Sequence, residues 1–232
     1  MADRVQLITG ASSGIGAASA RRAVAAGDRV VLAARRRQEL DALVAELGAD
    51  HALAVTCDVT EWEQVAATVD AALERFGRID VVFANAGFGA TRGFTEATVE
   101  HWRAMVLTNV LGVALTIRAT LPHLLERGTG HFVLTSSIAG RRSLPGSLYS
   151  ATKFAVTGIG QGLRGELREM HENTAIRVTL IEPGGVETPF FENPSSGRLE
   201  PEDVAAAVMW ALDQPAHVDV SEVLLLPTAQ RG

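Results

Sequence analysis

Two residues suited to proton transfer, Tyr149 and Lys153, stand four positions apart in this sequence, and Tyr149 is its only tyrosine. On a helix, side chains at i and i+4 lie on the same face. A free phenol, with a pKa of about 10, is a poor acid or base at neutral pH. A neighbouring ammonium favours the phenolate and lowers that pKa, as general acid–base catalysis requires. The pair therefore predicts proton exchange with a substrate oxygen, provided that the surrounding motifs agree.

A glycine-rich segment follows the first predicted strand and leads directly into a predicted helix. Glycines allow the backbone to approach a pyrophosphate, and the amides at the helix N-terminus face its negative charge. The segment therefore predicts a dinucleotide-binding turn. The residues expected to bind the phosphate groups are Gly10, Ser12, Ser13, Gly14, Ile15 and Gly16.

The same segment is open to two other interpretations. Gly10–Gly14 also matches Gly-x-Ser-x-Gly, the nucleophile elbow of α/β-hydrolases, with Ser12 as the nucleophile. Against this, an elbow on the first strand leaves no earlier strand to supply an oxyanion hole, and nothing marks His217 as its base. Alternatively, the glycines serve tight packing alone.

The end of the second predicted strand bears on the choice of nucleotide. An NAD site places a carboxylate here to bind the ribose 2′-OH, but this chain has Ala34, followed by arginines. A carboxylate would repel a 2′-phosphate, whereas Arg35 and Arg36 would bind it through charge-assisted hydrogen bonds. We therefore expect NADP(H), and we interpret Arg37 as a solvated residue at the start of a helix.

Short apolar runs alternate with segments of helical period along the whole chain. The predicted strands are Arg4–Thr9, Arg29–Ala34, His51–Cys57, Ile79–Ala84, Gly130–Ser136, Ile176–Ile181 and Glu222–Leu226. The clearest helical segments are Gly16–Ala26, Arg37–Leu47, Glu61–Phe76 and Pro201–Leu212. The first six runs are almost continuously apolar, as strands covered on both faces are. This predicts an α/β fold, a single doubly wound Rossmann domain with a seven-stranded, mostly parallel sheet.

Composition excludes several classes of protein. The chain has 232 residues, 47% of them hydrophobic, and a net charge of -6, which argues against nucleic-acid binding. The lone Cys57 suits a reducing compartment. No apolar window near the N-terminus or elsewhere approaches the length of a signal core or a membrane span, so we expect a cytoplasmic protein that binds no membrane. The histidines form no i,i+4 pair or cluster with cysteine, and no metal site is expected.

Six motifs occur in a fixed order that covers essentially the whole chain. They are Thr9–Gly16, Asn85-Ala86-Gly87, Asn109, Ser136-Ser137-Ile138-Ala139-Gly140, Tyr149-x-x-x-Lys153 and Pro183-Gly184-Gly185-Val186-Glu187-Thr188. In order and rough spacing this set resembles the short-chain dehydrogenase/reductase family. The resemblance implies reversible hydride transfer between NADP(H) and an alcohol/carbonyl pair. A complete set of catalytic residues argues against the alternative, an NADP-binding regulator or structural relative without turnover.

The resemblance also implies a role for each matching residue. Tyr149 would exchange the proton, Lys153 would lower its pKa and bind the nicotinamide ribose, Ser137 would hydrogen-bond the carbonyl, and Asn109 would hold a water of the proton relay. The remaining cofactor contacts implied are Asp58 and Val59 at the adenine, Asn85, Ala86 and Gly87 along the crevice, and Pro183, Gly184, Val186 and Thr188 at the nicotinamide.

Two departures from the family pattern affect this assignment. The local pattern Ser-x-Ala-Gly selects Ser137 as the catalytic serine, whereas counting back from Tyr149 selects Ser136. We prefer Ser137 and assume a shortened loop. The substrate lid, at about residues 188–200, is also shorter than in many relatives, which suggests an open mouth.

Substrate and assembly follow from weaker signals. Segments 35–40, 214–220 and 227–230 resemble the branch of NADP-dependent 3-hydroxy acid and serine dehydrogenases, which also contains carbonyl reductases. The expected substrate is a small or medium ketone, aldehyde or 3-hydroxy acid, with Arg141 or Arg142 as its carboxylate partner and Phe190 at the mouth. Glycines 158, 160, 162 and 165 weaken a helix that relatives use in an interface, so we expect a homo-oligomer, most simply a tetramer.

Overall fold

The computed structural model describes residues 3–89, 93–173, 175–189 and 197–230. Seven strands form one sheet: β1 (Val5–Thr9), β2 (Arg29–Ala34), β3 (Ala52–Thr56), β4 (Val81–Ala84), β5 (Gly130–Thr135), β6 (Ile176–Pro183) and β7 (Glu222–Leu225). Their order is β3-β2-β1-β4-β5-β6-β7. Every neighbouring pair is parallel, so the predicted seven-stranded Rossmann-like sheet is confirmed and is parallel throughout.

Helices connect the strands in the described residues. They are α1 (Gly14–Ala25), α2 (Arg37–Leu47), α3 (Trp62–Phe76), α4 (Val99–Val106), α5 (Gly112–Arg127), α6 (Leu148–Glu169) and α7 (Pro201–Leu212). The start of α7 illustrates how the sequence sets a boundary. Pro201 lies at the first helical position, and the Glu200 amide donates a 2.8 Å hydrogen bond to the Asp203 carboxylate. Both features favour helix initiation.

The sheet is covered on both faces, as its apolar strands require. Leu7 of β1 belongs to a core cluster with Ile117 of α5 and Leu163 of α6. Its neighbour Ile8 belongs to a second cluster with Val208 of α7. Successive residues of a strand point to opposite faces. An unbroken apolar run therefore fits only a strand between two layers of helices.

The strand order reverses between β1 and β4, which directs the chain to opposite sides of the sheet. Leu7 pairs with Val31 of β2 on one side and with Val82 of β4 on the other. In open α/β sheets a crevice forms at this point, beyond the carboxyl ends of the strands, and ligands bind there. The glycine-rich turn after β1 and the Asn85-Ala86-Gly87 segment after β4 meet at this crevice.

A five-residue π-helical turn, Leu107–Leu111, joins α4 to α5 without interrupting the helix. The resulting Val99–Arg127 helix is long and apolar enough to cross a membrane by length and composition. The expectation that no window approaches a membrane span was therefore wrong on those two criteria. In this fold, however, Val113 and Leu124 of the same helix are buried in the core beneath the sheet, which accounts for part of its apolar character.

Candidate active site

Tyr149 and Lys153 lie in the first two turns of α6, at the edge of the crevice. The Lys153 side chain is buried, and its Nζ lies 5.6 Å from the centroid of the Tyr149 ring. Nζ donates a 2.7 Å hydrogen bond to the carbonyl oxygen of Thr135, the last residue of β5. The ammonium is therefore anchored to the carboxyl edge of the sheet, with the phenol beside it.

The ionisation of this pair differs from the sequence expectation. Desolvation raises the pKa of Tyr149 to about 12, although a hydrogen bond with Ser137 acts in the opposite direction. Burial lowers the pKa of Lys153 to about 8. The expected fall in the pKa of Tyr149 is therefore wrong for the protein alone, because desolvation of the phenol outweighs the hydrogen bond that lowers its pKa. An ammonium with a lowered pKa is correspondingly easier to deprotonate near neutral pH.

The two candidate serines have different environments. Ser136 is buried against α6, where its hydroxyl contacts the Lys153 carbonyl at 3.1 Å and the Thr157 hydroxyl at 2.8 Å. Ser137 instead forms a side-chain hydrogen bond with Tyr149. Its hydroxyl also donates toward the carbonyl of Pro183 at 3.3 Å. The geometry thus brings Ser137 to the phenol and directs Ser136 into a structural contact.

Asn109 lies in the π-helical turn and is 1% exposed. Its amide accepts a 3.0 Å hydrogen bond from the Phe88 backbone N–H and donates to the Phe88 carbonyl at 2.9 Å and to the Thr152 hydroxyl at 3.1 Å. A Cβ on Gly87 would lie 3.1 Å from Asn109 Oδ1 and 3.7 Å from Lys153 Nζ. Asn109 and Lys153 therefore approach each other across a glycine, and the π turn, a feature common at functional sites, allows this.

Three glycines shape the turn between β1 and α1. Gly10 has φ +65°, and a Cβ there would lie 2.9 Å from the Ala86 Cα. Gly14 has φ +53°, and its added Cβ would lie 2.9 Å from the Thr188 side chain. A Cβ on Gly16 would approach the Gly10 carbonyl to 2.5 Å. Because each Cβ would fill the cradle or push its walls apart, the turn is shaped for a close approach of backbone and ligand.

Asn85 holds the two sides of the crevice together. Its side-chain amide donates to the Thr9 carbonyl at 3.1 Å and accepts from the Thr135 hydroxyl at 3.2 Å. The Thr9 hydroxyl in turn accepts hydrogen bonds from the backbone amides of Asn85 and Ala86, at 3.0 and 3.1 Å. These contacts join the carboxyl ends of β1, β4 and β5, and they leave Asn85 few groups with which to contact a ligand directly.

The three arginines after β2 differ in their contacts. The guanidinium of Arg36 donates to the Ser12 hydroxyl at 2.9 Å and to the Ser13 hydroxyl at 2.7 Å. Arg35 is exposed beside it. Arg37 forms a 2.8 Å ion pair with Asp41 one helical turn away, as a solvated helix start does. Arg36 therefore reaches over the phosphate turn, and Ser12 faces an arginine, which cannot serve as the base that a hydrolase nucleophile needs.

The predicted adenine side begins after β3. The Asp58 carboxylate accepts hydrogen bonds from the backbone and hydroxyl of Thr60, at 3.0 and 2.9 Å. The Asp58 backbone amide donates to the Gln64 side chain at 2.9 Å. Val59 is buried, and a Cβ on Gly112 would lie 2.6 Å from its side chain. Both residues are fixed at the crevice wall by these local contacts.

The segment after β6 forms the opposite wall. Gly184 packs against Pro227 and Gln230 so closely that a Cβ would collide with both. Val186 is buried and pairs with Leu199 across the base of the lid. Of the other residues predicted here, Pro183 contacts Ser137 and Thr188 contacts Gly14, as described above. Gln230, which sequence analysis did not select, also accepts a 2.9 Å hydrogen bond from the Gly185 amide.

The structure describes two of the three other residues predicted to contact substrate, Arg141 and Arg142. Arg141 forms ion pairs with both Glu182 and Glu222. Because two protein carboxylates already pair with the guanidinium, these contacts argue against the prediction that Arg141 binds a substrate carboxylate. Arg142 is half-buried in the same loop. Phe190 lies outside the described residues, as does most of the predicted lid.

Sequence reasoning overlooked several groups that position this site. They are polar or backbone groups without a motif of their own, such as the hydroxyls of Thr9 and Thr152 and the carbonyl of Thr135. The sequence also contains a signal for Lys153 beyond its motif, since Lys153 is the only lysine among 21 Lys and Arg residues.

Among the described residues, no group of three or more His, Cys, Asp or Glu side chains is arranged to hold a metal ion.

The sequence and fold of this chain are similar to those of known oxidoreductases. The family model described as short chain dehydrogenase matches residues 4–198. An uncharacterized oxidoreductase of Staphylococcus saprophyticus is 41% identical over 233 residues, covering 97% of each chain. The solved alcohol dehydrogenase of the archaeon Thermococcus sibiricus, complexed with 5-hydroxy-NADP, superposes with a TM-score of 0.89 at 33% identity, covering 99% of this chain and 98% of that one. The closed form of serine dehydrogenase complexed with NADP+ gives 0.90 at 31% identity, covering 98% and 96%.

A parallel sheet with a glycine-rich phosphate turn and a Ser-Tyr-Lys arrangement at its carboxyl edge defines a nucleotide-dependent oxidoreductase. The chain belongs to the short-chain dehydrogenase/reductase family, as the resemblance of its motifs implied. Solved relatives have been determined with NADP and with NADH.

Proposed function

We propose that this protein is an NADP(H)-dependent reductase that converts a small or medium carbonyl compound to the corresponding alcohol, and catalyses the reverse reaction. One observation carries the proposal. Ser137 reaches the Tyr149 phenol, and the Lys153 ammonium lies beside its ring, at the edge of a glycine-lined crevice. A protein that only binds a nucleotide has no need for an acid–base pair of this kind.

The residues present fit a dinucleotide phosphate. Gly10, Gly14 and Gly16 form a cradle that any Cβ would fill. The N-terminus of α1 is directed at this cradle and favours negative charge. Arg35 and Arg36 would hold a 2′-phosphate through charge-assisted hydrogen bonds, and no carboxylate stands at Ala34 to repel it. When bound, NADPH supplies the hydride for the reduction.

The side chains of this chain supply the proton and orient the carbonyl. Tyr149 donates its phenolic proton to the substrate oxygen, and the Ser137 hydroxyl donates a hydrogen bond to the same oxygen. Lys153, with its pKa lowered by burial, supports the proton transfer electrostatically. Asn109 fixes the loop around Phe88 and the face of α6 at Thr152, so that the crevice wall and the catalytic helix keep a constant separation.

In this proposal Arg142, in the loop after Ser137, is the candidate partner of a substrate carboxylate. A 3-hydroxy acid or its semialdehyde would require that guanidinium, whereas uncharged ketones and aldehydes would not. We therefore propose a general carbonyl substrate, with a 3-hydroxy acid as its charged member. Comparing kcat/KM for an acid and its methyl ester, in wild type and in Arg142→Ala, separates the two. A preference for the acid that Arg142→Ala abolishes supports the charged substrate.

The decisive experiment is NADPH oxidation across a panel of aldehydes, ketones and keto acids, with Tyr149→Phe as the control. Turnover that depends on Tyr149 supports the proposal. Tight NADPH binding without turnover on any compound would favour the regulator instead. Alongside catalysis we propose a homo-oligomer, supported by exposed apolar residues of the long helix and of α6, among them Leu107, Leu111 and Phe154.

A further inference from the structure

Glu182, near the end of β6, is a carboxylate with 0% exposure that takes no direct part in the proposed chemistry. One of its oxygens accepts from the Arg141 guanidinium, while the other has no hydrogen-bond partner among the described residues. A buried carboxylate is expensive, and a well-packed apolar pair is often at least as stable. Its presence one residue before Pro183 therefore calls for an explanation beyond stability.

The turn that carries Ser137 supplies that explanation. Ser137 opens a short 3-10 turn, Ile138–Gly140, and its hydroxyl accepts a 3.1 Å hydrogen bond from the Ala139 amide. The turn ends at Arg141, whose amide donates to the Ile138 carbonyl at 3.0 Å. Ser137 and Arg141 are thus the two ends of one compact unit, and a displacement of either end moves the other.

Two consecutive residues of β6 hold this unit. Pro183 accepts from the Ser137 hydroxyl at one end, and Glu182 pairs with Arg141 at the other. Arg141 also pairs with Glu222 of β7, which accepts a 3.3 Å hydrogen bond from Gln161 of α6. The network therefore connects the turn that carries Ser137 with the helix that carries Tyr149.

We propose that Glu182 is a positioning residue, which acts through Arg141 to hold the Ser137 hydroxyl at the Tyr149 phenol. The proposal rests on the proposed function, in which these two hydroxyls share a substrate oxygen. Ser137 has a single hydroxyl hydrogen but two acceptors within the protein, the phenol and the Pro183 carbonyl. Small movements of the turn decide which acceptor takes it.

The single tyrosine allows a direct test that does not require turnover. Protein labelled with [13Cζ]tyrosine gives one resonance, which reports the hydrogen bond at the Tyr149 phenol. We expect Glu182→Gln and Arg141→Lys to shift this resonance in the full-length protein. Each should also lower kcat about 10- to 100-fold, the range for a small misplacement of a catalytic group, with the best carbonyl acceptor of the panel. NADPH affinity should change far less than kcat.

Arg164→Met is the matched control. Arg164 likewise ties α6 to this edge of the sheet, donating to the carbonyls of Val178 in β6 at 2.6 Å and of Ser221, just before β7, at 2.9 Å. Its contact in β6 lies four residues before Glu182. The variant should leave both the resonance and kcat near their wild-type values. The double variant Glu182→Leu/Arg141→Leu distinguishes a loss of positioning from a loss of folding. It should keep the wild-type urea midpoint while its kcat falls.

An unchanged resonance in Glu182→Gln overturns the proposal, whether or not any substrate is found. A shifted resonance with wild-type kcat also overturns it, because Ser137 would then move without consequence. Equal losses of kcat in Arg164→Met would reduce Glu182 to a general structural role. If wild type turns over no carbonyl compound, the proposed function fails, and the resonance still decides whether Glu182 positions Ser137.

Discussion

The ammonium of Lys153 and the backbone carbonyl of Thr135 are joined by a 2.7 Å hydrogen bond. Through it, the catalytic helix α6 is attached to the carboxyl end of β5, and the Thr135 hydroxyl continues the connection to Asn85 after β4. The lysine is buried at this junction and is the only one in the sequence. Its ionisation can therefore be followed without interference from other lysine side chains.

Lys153 should make the free protein less stable at neutral pH. Its pKa in the folded protein, about 8, lies below the ordinary value of 10.5. Below pH 8 both states are protonated and the folded state bears the full desolvation cost. Between pH 8 and 10.5 the unfolded state binds more protons, so stability rises with pH across that window. We expect Lys153→Met to be more stable than wild type by about 1–3 kcal/mol below pH 8, and the difference to shrink above it.

Urea unfolding of both proteins below pH 8 and near pH 10.5 measures this difference, and the single resonance of [13Cε]lysine gives the pKa directly. A variant that is less stable than wild type throughout the range would contradict the buried-charge interpretation.

Tyr149→Phe should abolish turnover and spare the cofactor site. Loss of a general acid lowers the rate by about 10²- to 10⁴-fold. NADPH binding, followed by its fluorescence, should persist, because the phosphate cradle lies on β1 and α1. Retention of near-normal kcat would show that another group donates the proton.

Arg36→Ala should lower kcat/KM with NADPH far more than with NADH, and Arg35→Ala should do the same. A hydrogen bond to a charged group is worth about 1.5–3 kcal/mol, which corresponds to a loss of about 10- to 150-fold. Arg37→Ala provides the control, because that guanidinium is paired with Asp41. Equal use of both nucleotides by wild type would remove the case for a 2′-phosphate site.

Gly14→Ala should weaken NADPH binding and destabilise the fold. The new methyl group would lie 2.9 Å from Thr188, in addition to the strain of φ +53°. Gly77→Ala isolates the strain, since Gly77 has φ +76° with no atom within 4 Å of the added Cβ. That control should cost about 1–2 kcal/mol by urea unfolding, and Gly14→Ala should cost more. A similar loss of unfolding free energy in both variants would mean that the Thr188 side chain moves to make room for the new methyl group.

Light scattering should give an oligomer mass that falls in Phe154→Arg. Phe154 on α6 is 43% exposed, and added Cβ atoms on Gly158, Gly162 and Gly165 would meet nothing within 4 Å. Gly160, by contrast, packs against Leu180 inside the fold. Ala45→Arg on the exposed side of α2 should leave the mass unchanged. A monomer mass for wild type would refute the proposed assembly.

The sheet could be predicted because burial on both faces leaves a direct mark on the sequence. Val30–Ala34 is apolar at every position and is buried at every position. The phosphate turn could be predicted from its glycines for a similar reason, since the conformations and close approaches described above leave no room for a side chain.

The remainder of the site depends on contacts between distant residues. The sequence does not reveal the ion pairs of Arg141, because its partners Glu182 and Glu222 stand 41 and 81 residues further along the chain. The raised pKa of Tyr149 depends on burial, which no local motif encodes. The choice between Ser136 and Ser137 likewise required the geometry around α6, because both serines directly follow the same strand.

The π turn at Leu107–Leu111 lies between α4 and α5 in the long helix. It determines how the side chains of α4 are rotated about the helix axis relative to those of α5. Removing one residue from that turn would rotate α4 against α5 by about 100°. Val113, Ile117 and Leu124 would keep their places in the core, while His101 would leave the Gly89 carbonyl that it contacts at 3.0 Å. A single-residue deletion could therefore remodel the wall of the crevice while the packing of α5 under the sheet stays intact.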